Sequence, residues 1–275
     1  MFEGPTDTGT YISARFLLAD ALLKNFGTVH PREEAVGTAL NHLLTLLAFN
    51  RADPLFLRTV IPALYIVLGK QQHTYDFVKW WATKYTLDPE VNWNDPNMPY
   101  LDIRDADIFE PPVEEWRRSE GREFHLSHPV IVMVLKLRVL LDLVAVQNAR
   151  RFLRGLLPAE LIGLVQDNLV DPGSIVAHRP EILRGTTANI SSHIMTLRRQ
   201  IKQLYDDIAQ ENHDFWPLMF AAFRDPAAAV MNRPIGYTRE PEEEARYAVG
   251  YTIAGWLVEP LTMGLMKGIS AAVDS

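Results

Sequence analysis

The stretch from Ala39 to Pro89 constrains the fold most. Its apolar residues recur at helical spacing, and two turns punctuate it, Ala52-Asp53-Pro54 and Leu87-Asp88-Pro89. Pro54 and Pro89 stand 35 residues apart, close to the period of about 34 residues found in helix-pair repeats. Helices joined this way need neighbours to cover their apolar sides. We read the stretch as a packing platform for the longer helices downstream.

The same pattern extends to both sides. Residues 1–10, rich in Gly, Thr and Pro, read as a flexible leader. Phe16, Leu17, Ala19, Leu22, Leu23 and Phe26 recur at helix spacing, and Gly27 is the stop. Pro31, Glu33 and Glu34 suit the first turn of the next helix, whose buried stripe is Leu40, Leu43, Leu44 and Leu47. Asp53-Pro54 is expected to start a third helix, which Pro62 kinks or restarts and Gly69 ends. Thr74 is placed to cap a fourth, carrying Tyr75, Phe77, Val78, Trp80 and Trp81. Residues 11–90 thus form a helix-pair repeat-like region.

Periodicity vanishes over residues 91–124, an irregular, acidic, proline-rich loop. A long segment without pattern is either functional or a wrapping loop. Trp93, Tyr100, Phe109 and Trp116 favour packing down, while Glu114 to Glu123 reads as a charged, solvated tip. Residues 125–275 read as a helical bundle. His128-Pro129 opens a helix to about Leu153, with a seam of Val130, Val134, Leu137, Leu141 and Val144. Pro158 starts a shorter helix to about Val170. A second long helix, about Thr187 to His213, carries Ile190, Ile194, Leu197, Ile201, Leu204 and Ile208. The two seams are expected to pack as an antiparallel pair. Two last helices follow, about Glu242 to Val258 and Leu261 to Val273. With no strand signal, the expected fold is all-α: a repeat-like N-terminal part packed on long antiparallel helices, in one continuous domain.

Composition removes several function classes. The chain has 275 residues and no cysteine, which excludes disulfides, thiol catalysis and cysteine-ligated metal. A net charge of -7 argues against an extended phosphate-binding surface. Arg150, Arg151 and Arg154, with Arg198, Arg199 and Lys202, could share a surface, yet no nucleic-acid module accompanies them. There is no phosphate-binding glycine motif. The apolar run from Val249 to Val273 is interrupted by Glu259, Pro260 and Lys267 and diluted by glycines, so it reads as a buried helix pair rather than a membrane span. The N-terminus has no signal-peptide pattern, and a cytoplasmic or nuclear location is expected.

Several phrases together carry a family resemblance. They are Ala39-Leu40-Asn41-His42-Leu43, Asn50-Arg51-Ala52-Asp53, Val60-Ile61-Pro62-Ala63-Leu64, Leu68-Gly69-Lys70 and Tyr75-Asp76-Phe77-Val78-Lys79-Trp80-Trp81. Asn92-Trp93-Asn94-Asp95, the run from Pro99 to Pro111, Leu135-Lys136-Leu137-Arg138 and His213-Asp214-Phe215-Trp216-Pro217 continue it. Across residues 39–260 the chain resembles a fungal family of helical proteins whose relatives are grouped with MYND-type finger proteins. The resemblance implies a tetratricopeptide-like fold and no particular activity. A MYND finger needs cysteine ligands, so the zinc finger is absent here.

Candidate chemistry rests on acids, histidines and aromatics. In the loop, Asp95, Asp102, Asp105, Asp107 and Glu110 could hold a hard cation or raise one another's pKa, with Asp102 and Asp105 the candidates for acid–base work. Asp beside Pro more simply caps turns, and the glycine of a calcium loop is missing. Asp206-Asp207 with Glu211 looks like one half of a magnesium–diphosphate site. Asp207 and Glu211 share a helix face, but no second motif answers them, and a solvated face balanced by Arg198, Arg199 and Lys202 is the simpler reading. His125 and His128 could ligate a metal with a distant third group, though His128 before Pro129 suits a helix start. Tyr75, Trp80, Trp81, Trp93 and Tyr100, joined by Trp116 and Trp216, could line a concavity, though large aromatics usually form core.

These readings converge on a soluble helical scaffold. It would bind a peptide or protein in a groove between the N-terminal helix pairs and the loop at 88–123. No metal, cofactor, nucleic acid or membrane is expected. The alternative is an all-helical enzyme, metal-dependent or not, using Asp102, Asp105, Asp207 or Glu211.

Overall fold

The computed structural model describes residues 5–28, 30–85, 90–117 and 125–258, with Leu261, Thr262, Gly264, Met266 and Gly268 beyond them. Among these residues the chain is all-α and forms no sheet. Eleven α-helices are described: α1 (Pro5–Phe26), α2 (Glu33–Phe49), α3 (Ile61–Val67), α4 (Gln71–Thr83), α5 (Ser127–Leu153), α6 (Ala159–Leu169), α7 (Pro180–Leu183), α8 (Thr187–Glu211), α9 (Phe215–Ala222), α10 (Pro226–Met231) and α11 (Pro241–Leu257). Short 3-10 turns occupy Leu57–Thr59 and Glu114–Trp116.

Helix α5 is the spine. From Leu126 to Leu140 every residue is buried, including Lys136 and Arg138. The expected narrow seam is therefore a helix covered on all sides, which explains why its sequence is apolar almost all round. Side-chain bonds fix the direction of α8 against it: Lys136 reaches Gln200, Gln147 reaches Ser191, and Arg150 reaches the Gly185 carbonyl. Rising numbers on α5 meet falling numbers on α8, so the two long helices are antiparallel.

At the other end α1 packs on α2, α2 on α3 and α3 on α4. Helix α11 then ties this part to the rest by packing on α3, α5, α9 and α10. Its Tyr251 donates to Asp20 of α1 at 3.1 Å, and Asp20 also takes Arg233 at 2.5 Å and Lys24 at 3.0 Å. Burial opposes this carboxylate, yet the Arg233 and Lys24 charges hold its pKa below the ordinary carboxylate value. Close backbone approach ties the parts again, because a Cβ on Gly173 would meet the Gly69 carbonyl oxygen at 2.5 Å. One apolar core draws on residues from Ala19 to Met266.

Several expectations need correction. Residues 5–10 are the first turns of α1, with Pro5 tolerated where an amide donor has no helical partner. Asp53-Pro54 does not start a helix. Asp53 sits at φ 54° and its carboxylate accepts from the amides of Leu57 and Arg58, both at 2.8 Å. This cap opens the 3-10 turn, and Pro62 restarts the chain as α3. Thr74 lies inside α4, bonded to the Lys70 carbonyl at 2.9 Å, rather than capping it. Trp116 is fully buried, so the expected solvated tip does not begin at 114. The Asp88-Pro89 turn, residues 118–123 of that tip and most of the helix expected at 261–273 lie outside the described residues.

Candidate functional site

The loop at 90–117 is sewn to the helices by buried side chains. Asp76 on α4 accepts from the amides of Asp105 at 3.1 Å and Ala106 at 2.9 Å. Gln72 donates to the Ala106 carbonyl, and Trp80 donates to Asp102 at 3.0 Å. Lys136, 0% exposed, donates to the carbonyls of Ile108 at 2.6 Å and Glu110 at 3.1 Å and to Gln200 at 2.8 Å. An ammonium has three donors, and all three are used. Burial pulls its pKa from 10.5 down to about 7, against the Glu110 and Asp107 charges. Gln200 donates to the Phe109 carbonyl, and Glu110 takes Tyr75 and Lys79, each at 2.7 Å. Burial and that carboxylate raise the Tyr75 pKa.

The acids singled out from the sequence are thus dispersed. Asp102 holds an indole. Asp105 sits at φ 53° with its amide on Asp76. Asp207 pairs with Arg117 at 2.8 Å, and Glu211 stands one turn further along α8. Asp206 pairs with Lys202 on the helix surface. Among the described residues no group of three or more His, Asp or Glu could hold a metal ion.

The aromatic candidates are brought together, but as core. Trp80 packs edge-on against Trp81, Trp93 and Tyr100, with centroids at 5.1, 5.8 and 4.9 Å. Tyr75 instead meets Trp116, and Trp216 stacks on Tyr205 beside Trp256. A cage of Phe56, Trp81 and Tyr85 that could hold a cation is filled by this chain's own Arg58, 4.8–5.1 Å from each ring. Among the described residues these side chains fill one another's space rather than lining an open groove between the N-terminal helices and the loop. The loop's apolar and aromatic residues gain more by burial than by staying open.

Arg58 also organises the histidines. Its Nε donates to His125 at 3.2 Å, and its carbonyl meets His128 Nε2 at 3.0 Å. Burial, then the His125 charge, pull His128 down to about 3. A metal at this pair would lie against a guanidinium. Glu244 closes the ring by accepting from Tyr237 at 2.8 Å and the Leu126 amide at 3.3 Å, and burial raises its pKa. The network holds the 50–57 turn, where Phe56 stands at φ 54° and leans on Tyr237 at 4.7 Å. Backbone held in this region costs about 1–3 kcal/mol and persists only when packing enforces it.

Described residues line three open clefts. One lies between α1, α2 and the 50–57 turn, holds about 410 Å³ and is lined mainly by Ile12, Leu46, Phe49, Pro54, Leu55 and Leu57. Phe49 is 59% and Leu55 39% exposed at its rim. A cleft of about 830 Å³ separates α6 from the start of α8, lined by Arg150, Arg154, Glu160, Ile162 and Leu164 and by Arg184, which pairs with Asp167 at 3.1 Å. A third, of about 210 Å³, lies between α9, α10 and α11. None is lined by Asp102, Asp105, Asp207 or Glu211. The apolar cleft was missed in the sequence. Its only signal is that Phe49 falls off the Leu40–Leu43–Leu47 stripe, beside an apolar Pro54-Leu55-Phe56 turn. Among the described residues no helix is long and apolar enough to cross a membrane. No protein-family model matches the chain, and neither the curated proteins nor the solved structures contain a match to it.

Proposed function

We propose that this chain is an interaction protein that takes an amphipathic helical segment of a partner protein in the cleft between α1, α2 and the 50–57 turn. The observation that carries this reading is the cleft itself. It is concave and apolar, with the large side chains of Phe49 and Leu55 half in solvent at its rim. Clefts of a few hundred Å³ with apolar walls suit anchoring side chains, and a space between two helices suits a third. Thr8 and Asn50 supply polar contacts at the edge. The reading keeps the scaffold role and the peptide or protein partner expected from the sequence and moves the groove. The tetratricopeptide-like family resemblance belongs to the same proposal, because successive pairing of α1 to α4 is the arrangement such repeats use. The enzyme alternative has no comparable support, since its four acids line none of these clefts.

The test is a displayed-peptide selection on the purified full chain, repeated on Phe49→Asp and Leu55→Asp. Selected peptides should carry large apolar residues at helical spacing and lose at least about tenfold in affinity for either variant. Peptides without such anchors, or binding the variants equally, would sink the proposal.

A further inference from the structure

The arginine beside the α1–α2 cleft has no countercharge. Arg15 of α1 is half-buried and reaches across to α2. Its Nε donates to His42 Nδ1 at 3.1 Å and its Nη2 to Thr45 Oγ1 at 3.1 Å, while Nη1 donates to the Tyr11 hydroxyl. A guanidinium has five N–H donors. Neutral atoms take three of them, and among the described residues no carboxylate pairs with the charge. Asp53 is the acid among the cleft's lining residues, and its carboxylate is bound by the amides of Leu57 and Arg58. Holding a half-buried charge in one place without an opposite charge costs free energy, and it pre-organises the group for a ligand that brings one.

The placement of this charge selects the ligand. Tyr11 and Arg15 stand one turn apart on the same face of α1, and Thr45 and Phe49 one turn apart on the same face of α2. Tyr11 and Phe49 meet edge to face, with centroids at 6.1 Å, and both line the cleft. The guanidinium therefore stands about 6 Å, one helical turn, along the α1–α2 seam from the apolar cleft. We infer that the partner helix carries an Asp or Glu three or four residues from its apolar anchors, and that Arg15 holds this acid. The inference rests on the reading of the cleft as a helix site and names the partner's chemistry. The two donors left over, one on each terminal nitrogen, suit the two oxygens of a carboxylate. The charge lies along the seam and not among the residues lining the cleft, so it serves a ligand laid across both rather than an acyl chain inserted end-on.

Selection of a randomised helical peptide library on the full chain reads this directly. The wild type should enrich Asp or Glu at that spacing from the anchors. Changing the acid of a selected peptide to its amide, or Arg15→Gln in the protein, should each weaken binding about tenfold. The two changes together should cost no more than either alone. Arg15→Lys keeps the charge and should keep the preference. Arg15→Glu should reselect Lys or Arg at the same place, with the anchors unchanged. An arginine that only ties α1 to α2 gives a different result, because Arg15→Gln would then weaken acidic and amide peptides alike. That result, or anchored peptides with no acid at this spacing, overturns the inference and leaves the cleft's role standing. Laurate binding that Arg15→Gln abolishes, with no acid in the selected peptides, overturns it as well. Peptides without apolar anchors overturn both readings.

Discussion

The loop at 90–117 and the helix α6 reverse the usual relation between regularity and exposure. The loop has no periodicity, carries acids and aromatics, and looks like a place for chemistry, yet its backbone is bonded to buried Asp76, Lys136 and Gln200. Helix α6 has ordinary periodicity and looks like one more piece of bundle, yet its apolar side faces water. Irregular backbone can be as firmly held as a helix when side chains supply the missing partners. Regular structure, conversely, can leave large apolar side chains in water.

Lys136→Met should show the largest effect. It leaves the Ile108 and Glu110 carbonyls without their donor and should cost about 3 kcal/mol in urea denaturation. The comparison breaks if the loss is below about 1 kcal/mol. The variant also isolates a pH effect. Between roughly pH 7 and 10 the unfolded chain keeps a proton that folded Lys136 has released, so wild-type stability should rise with pH relative to Lys136→Met. Asp76→Ala removes two amide contacts to the loop and should cost about 2 kcal/mol.

Acid should act through His128. Its folded pKa of about 3 lies below the ordinary 6.5, so its neutral form supports the fold above pH 6.5. That contribution should fade as pH drops from 6.5 towards 3, by at most about 1.4 kcal/mol per unit. His128→Asn should flatten the acid limb of the stability curve, and an unchanged limb would remove His128 from the account. Asp102→Asn keeps an oxygen for the Trp80 indole and should cost about 0.5 kcal/mol or less. Leu164→Asp should leave stability within about 0.5 kcal/mol, since the side chain is already in water. A large loss there would mean that α6 is core after all.

The elements were legible wherever apolar periodicity and punctuation agreed. The long helices α5 and α8 fall within a few residues of expectation, their starts expected at His128-Pro129 and about Thr187. The restart at Pro62 and the stop at Gly69 were equally plain, the latter realised at φ 68°. Pairings distant in the chain were not legible. Nothing in the local pattern says that Lys136 points at residues 108–110, or that Arg58 fills a ring of aromatics. Apolar spacing also cannot tell which way a helix faces. Leu161, Leu164 and Val165 make the same stripe whether they meet core or solvent, and only the buried Gln166 reveals the outcome. The aromatic candidates meet as core and the acidic ones are dispersed onto separate partners, since the energy of burying an indole or saturating a carboxylate is available within the chain itself.

Hydrogen exchange on the full chain compares the two regions in one experiment. The amides of Asp105 and Ala106, held by Asp76, should exchange as slowly as those of α5 and open only with the whole fold. Exchange of those amides within seconds, while α5 stays protected, would mean that the loop opens on its own. It would contradict the claim that its acids are structural.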